Sequence, residues 1–170
     1  GRALEFEEIL GYHLEQAYRY RSELGPLDDE AVLLGVRAST RLSSAGRRAL
    51  ARGDFPAAAN LLDRAAKLLD TANPQRAPLL VSAGEAFMEI GEFATAEDLL
   101  VVAAGDASAI DDRSVATTAE LVRLQARLGR RERRRDLEHV GAENALGAGD
   151  EVVGVVLHER RATGQARAHH

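Results

Sequence analysis

Two stretches of the chain repeat one another, and that repetition limits the fold more than any other feature of the sequence. ARGDFPAAANLLDRAAKLL, residues 51–69, and EIGEFATAEDLLVVAA, residues 89–104, each place Gly, an acid and Phe before an Ala/Leu-rich run. Gly53 and Gly91 lie 38 residues apart, and Gly129 lies 38 beyond Gly91. Gly46, Ala58 and Ala65 are matched at the same interval by Gly84, Ala96 and Ala103. A fixed period of this size signals stacked helical units, because one helical hairpin cannot bury its apolar face alone. The expected fold is all-α: a right-handed array of antiparallel helical hairpins, hinged at Gly53, Gly91 and Gly129.

The apolar spacing and the punctuation place the helices. Phe6, Ile9, Leu10, Leu14, Ala17, Tyr18 and Leu24 recur at intervals of three and four, which fits one helical face over 5–24. Gly25-Pro26 ends that helix, and Asp28-Asp29-Glu30 sits where acids favour the start of the next, about 29–52. Asp54 is the expected cap of a helix running to about 70, with Pro56 tolerated in its first turn. Further helices are expected at 76–90, 93–105 and 113–128, with connections at 71–75 and 105–112. Aromatic residues make up only 4% of the chain, so Ala, Leu and Val must build the core. Side chains that small suit helices in close approach.

Composition closes several routes. The chain has no cysteine, so disulfides and thiol chemistry are ruled out. Its net charge of −5 supplies no global basic field for nucleic acid. No apolar run approaches the ~18 residues that a membrane span needs, and GRALEFEE has no signal-peptide core. A cytoplasmic location is the expectation. The chain opens without Met and in mid-pattern, which points to a piece of a larger protein.

The repeated unit resembles a tetratricopeptide repeat, whose signature is a small residue within the first helix, Gly-Asp-aromatic at the turn, and two small residues in the second helix. Gly46, Gly53-Asp54-Phe55, Ala58 and Ala65 match it, as do Gly84, Gly91-Glu92-Phe93, Ala96 and Ala103. It departs in having Leu42 and Leu80 where a bulky aromatic is usual, and a period of 38 where about 34 is usual. Residues 7–30 and 45–69, EEILGYHLEQAYRYRSELGPLDDE and AGRRALARGDFPAAANLLDRAAKLL, are similar to the helical repeat region of actinobacterial signalling ATPases linked to adenylate cyclase or LuxR-type domains. That resemblance covers residues 5–128. It implies a scaffold arm of a transcriptional or signalling regulator, and it does not imply that this segment binds ATP.

The character changes after residue 129. We divide the chain into a tetratricopeptide-like domain (1–129), a charged and Gly/Ala-rich linker (130–150), and a tail (151–170) that is a short β-hairpin or disordered. EVVGVVLHE, residues 151–159, is rich in β-branched residues and reads as a strand, with a second strand expected at 165–170. GDEVVGVVLHERRATGQ resembles a hairpin of the SnoaL-like α+β fold. That resemblance implies an alternative function, a small-molecule-binding or cyclase-like module with His158 facing its pocket.

No motif for catalysis stands out. There is no phosphate-binding loop, no GxSxG elbow and no HExxH, so no cofactor or metal is expected and the chain is read as no enzyme. Asp28/Asp29 and Asp111/Asp112 are better explained as helix caps than as acid–base pairs. His13, and the cluster of Tyr12, Tyr18 and Tyr20, are better explained by packing or surface position than by ligation or base stacking. RRERRR, residues 130–135, lacks interleaved aromatics and reads as a solvated run rather than a nucleic-acid site. What remains is the groove that first helices line in tetratricopeptide arrays. The resemblance carries one groove position onto Arg47, Glu85 and Arg123, with Met88, Glu89 and Arg127 one turn further on. Arg47, Arg123 and Arg127 would grip a carboxylate through their planar forks of donors. The expected partner is a protein or the neighbouring ATPase domain, and an exposed apolar end after 129 would favour a homodimer.

Overall fold

A computed structural model describes residues 2–165, with side chains over 9–139. The chain divides into two units between Arg130 and Arg131, each described by itself. The backbone forms α1 (Arg2–Leu24), α2 (Asp29–Ala51), α3 (Phe55–Lys67), α4 (Arg76–Glu89), α5 (Phe93–Ala109) and α6 (Arg113–Gln165). In the first unit α1 packs on α2, α2 on α3, α3 on α4, and α4 on α5.

Three short turns join consecutive helices, and they share one hydrogen-bond pattern. At the end of α2, Gly53 N–H donates to the Leu50 carbonyl (2.9 Å) and Asp54 N–H to that of Ala49 (2.9 Å). At the end of α4, Gly91 donates to Met88 (2.9 Å) and Glu92 to Phe87 (2.9 Å). At the end of α5, Asp111 donates to Ser108 (3.2 Å) and Asp112 to Ala107 (2.8 Å). This is the Schellman closure, which needs a left-handed residue at its centre. Gly53 (φ 73°), Gly91 (φ 79°) and Asp111 (φ 57°) supply it. The residue that closes one helix then opens the next: the Asp54 and Asp112 carboxylates accept from the amides of Ala57 (3.3 Å) and Val115 (3.1 Å).

The third turn, at Asp111, falls within the connection expected at 105–112. The hinge expected at Gly129 is absent, because Gly129 lies inside α6. A glycine inside a helix costs only about 1 kcal/mol relative to alanine, and here close packing requires it. A Cβ on Gly129 would stand 2.5 Å from Cε1 of Phe93. Gly105 also fails to end its helix, and α5 continues to Ala109.

The core is built of small residues, as the composition demands. Ala38, Ala58, Ala65, Ala66, Ala83, Ala96 and Ala103 are fully buried around Leu42, Leu62 and Leu100. Two contacts recur at the sequence period. A Cβ on Gly46 would meet Leu62 Cγ at 2.8 Å, and one on Gly84 would meet Leu100 Cγ at 3.0 Å. Both glycines therefore let a leucine of the following helix lie against the backbone.

The described residues contain no strand. The stretch 151–159 lies in α6, so the strand expected there is helical, and the second expected strand, 165–170, lies almost wholly outside the described residues. The β-branched residues Val152, Val153, Val155 and Val156 each cost a helix only a few tenths of a kcal/mol. Their intrinsic preference is too weak to decide the backbone by itself.

Candidate functional site

The six residues assigned to the groove lie on alternate helices. Arg47 is on α2, Glu85, Met88 and Glu89 on α4, and Arg123 and Arg127 on α6. Arg47, Glu85, Glu89 and Arg127 are exposed, Arg123 is half-buried, and Met88 packs against the core. The carboxylates bound by the two α6 arginines belong to the protein itself. Arg123 donates to Glu120 Oε2 from Nε (3.0 Å) and Nη2 (2.6 Å). Arg127 Nε donates to Glu97 Oε1 of α5 (2.6 Å), and Arg130 donates to the other oxygen (3.3 Å). The hydrogen bond from Arg127 holds the Glu97 carboxyl below its ordinary pKa. Glu85 is shifted the other way: its side chain as a whole is exposed, yet partial burial of the carboxylate raises its pKa.

An open groove of about 350 Å³ lies between α1 and α2, lined by Leu10, Leu14, Val36, Arg37, Thr40 and Arg41. Sequence patterning gives no hint of it, because Leu10 and Leu14 have the spacing of ordinary core positions. The signal lies between those two leucines, on α1 itself. Gly11 approaches α2 so closely that a Cβ would stand 3.2 Å from Arg41 Cβ and from Leu42 Cδ2. Neighbouring side chains are thereby left straddling a shallow gap.

A buried carboxylate anchors α1. Glu15 is 2% exposed and accepts from Arg64 Nε on α3 at 3.1 and 3.3 Å, and from Arg64 Nη2. Arg19 completes the pair at 3.2 Å. At the far end of α1, Arg21 bonds Glu30 (2.9 Å), and this bond strengthens its hold on its proton. Arg76, at the start of α4, bonds Asp106 of α5 at 2.5 Å.

The remaining candidates have structural roles where described. Asp28 caps α2 by accepting from Ala31 N–H (2.8 Å). The tyrosines form no platform. Tyr18 lies over Gly35, whose added Cβ would stand 2.9 Å from the ring, while Tyr12 and Tyr20 are exposed. His13 is exposed and meets Tyr12 edge-on at 5.6 Å between ring centroids. RRERRR is an exposed part of α6. His158 lies outside the described side chains. Among the described residues no group of three or more His, Cys, Asp or Glu is placed to hold a metal ion, and no helix is long and apolar enough to cross a membrane. Compared with protein-family models, with curated proteins and with solved structures, the chain finds no match.

Proposed function

We propose that the chain is a non-catalytic scaffold for protein–protein contact, a right-handed tetratricopeptide-like array from a larger ATPase-type transcriptional or signalling regulator of the cytoplasm. The observation that carries this reading is the pair of matched contacts, Gly46 with Leu62 and Gly84 with Leu100. Sequence-equivalent residues make equivalent inter-helix contacts in two consecutive hairpins, as stacking of like units requires. A partner would engage the face that carries Arg47, Glu85 and Glu89, with Arg123 and Arg127 at its edge. The internal ion pairs of those two arginines would then be exchanged for pairs with the partner. Binding there would stiffen the arm and bias an attached ATPase domain between states.

The test is selection of peptides from a displayed library on the folded chain, followed by rebinding to Arg47→Glu and Glu85→Arg variants. Peptides that lose affinity for both variants support the reading. A library that yields no binder, or binders indifferent to both charge reversals, overturns it.

A further inference from the structure

The chain carries a net charge of −5, yet from Ala31 to Gly53 it has five arginines and no acidic residue. Two of the five, Arg37 and Arg41, stand one turn apart on α2 and line the groove against α1. Arg41 is already engaged within the chain. Arg37 is exposed and has no ion pair among the described residues. The floor between the helices is apolar: Leu10, 41% exposed, and the half-buried Leu14 and Val36. Thr40 brings no free donor to it, because its hydroxyl donates to the Val36 carbonyl (2.9 Å). The groove is also preformed. Gly11 holds α1 and α2 in close approach, and Glu15, next to Leu14, is tied to Arg64 of α3.

We propose that this groove docks a short acidic segment of a partner protein, with one large apolar side chain seated on Leu10, Leu14 and Val36 and a neighbouring carboxylate on Arg37. Each part of that occupant answers a feature of the groove. Leu10 and Leu14 are one turn apart, about 6 Å along the axis, which is room for one side chain and not for the face of a helix. The rim on the α2 side is cationic, so the residue beside the anchor is an acid. The planar fork of Arg37 meets a carboxylate with two parallel bonds, and a second cation one turn away adds to the attraction. The groove is open, whereas a small-molecule site encloses most of its ligand. The anchor is therefore one held from outside by its own backbone. The inference needs only the packing of α1 on α2, and it stands apart from the hairpin-array reading.

The test is an NMR titration of the full chain with three probes at about 0.15 M salt: the peptide Glu-Glu-Phe-Glu-Glu, its counterpart Glu-Glu-Ala-Glu-Glu, and octanoate. The Phe peptide is expected to bind saturably and to shift the amides of residues 10–14 and 36–41. The Ala peptide should bind about ten-fold more weakly or worse. An Arg37→Glu chain should lose about five-fold or more in affinity for the Phe peptide. Leu10→Glu, which sets an anion in the groove itself, should abolish binding. Both changes fall at exposed positions, and an unchanged melting temperature shows that the fold is intact. Arg52→Glu, at the far end of α2 and about 22 Å from Arg37, lies beyond the screening length and should leave binding unchanged. No saturable binding, equal affinity for the two peptides, or indifference to Arg37→Glu or Leu10→Glu would overturn the inference. So would an equal loss with Arg52→Glu, which would reduce the effect to general attraction by a basic helix. Octanoate binding in the groove where the Phe peptide does not would overturn it as well, since the site would then be one for a small molecule. None of these variants alters Arg47 or Glu85, so failure here and failure of the peptide selection are separate outcomes.

Discussion

Glu15 and Arg64 join α1 to α3, two helices that are not neighbours in the chain, through a carboxylate that is almost wholly buried. Taking an ion pair out of water costs several kcal/mol per charge, which good geometry offsets. Removing one partner leaves the other charge stranded. Arg64→Ala is expected to destabilise the first unit by about 3 kcal/mol, the low end for a buried pair because Arg19 remains beside Glu15. The double variant Glu15→Gln/Arg64→Met should recover most of that loss. Urea unfolding of the parent chain, Arg64→Ala and the double variant makes the comparison. A double variant no more stable than Arg64→Ala would show that the guanidinium acts through packing, not charge.

The glycines divide into two classes with opposite expected effects. Gly46→Ala places a methyl 2.8 Å from Leu62 and should cost about 1–3 kcal/mol through overpacking, more than the ~1 kcal/mol gained in helix propensity. Combining it with Leu62→Ala should cost less than the sum of the two single changes. Gly105→Ala meets nothing within 4 Å and should stabilise α5 by about 0.5–1 kcal/mol. Thermal unfolding of the four variants checks the signs, and equal shifts for Gly46→Ala and Gly105→Ala would refute the packing account.

This division also marks how far the sequence was legible. The period was readable because Leu62 and Leu100 each demand a glycine across from them, so the constraint is written twice. The caps at Asp28, Asp54 and Asp112 were readable because capping is local. Gly129 was misplaced as a hinge because a glycine that admits a ring and a glycine that admits a turn are the same letter. Asp111 was placed in the right connection but read as a cap, because aspartate serves a left-handed turn only occasionally. At the candidate site, Arg127 and Glu97 are 30 residues apart in the chain, and no local pattern announces a pair set by the stacking of α5 on α6.

Asp111 itself gives a third prediction. It holds φ 57°, a conformation in which its Cβ crowds the backbone. Its ion pair with Arg113 is exposed and worth little. Asp111→Gly should therefore stabilise the chain by up to about 1 kcal/mol, while Gly53→Ala should destabilise it by about 1 kcal/mol or more. Melting temperatures that move in the same direction for both would mean that the turns do not share one closure.

The two perturbed glutamates predict opposite pH profiles. The folded-state pKa of Glu97 is lowered, chiefly by the hydrogen bond from Arg127. Its contribution to stability is therefore complete above the ordinary carboxyl value and is lost as pH falls through the lowered one. Glu85 is raised by desolvation. Its contribution is complete below the ordinary value and is lost as pH rises through the raised one, so at neutral pH the ionised form is a burden on the fold. Glu97→Gln should lower the melting temperature at about pH 7 and matter progressively less on acidification past the ordinary carboxyl pKa of about 4.3. Glu85→Gln should raise the melting temperature at about pH 7, with the gain vanishing below the same range. Difference curves of melting temperature against pH, each variant minus the parent chain, should thus carry opposite signs at neutral pH and converge in acid. Curves of one sign would mean that the carboxylate of Glu85 is fully hydrated, and they would remove the desolvated environment assigned to it on α4.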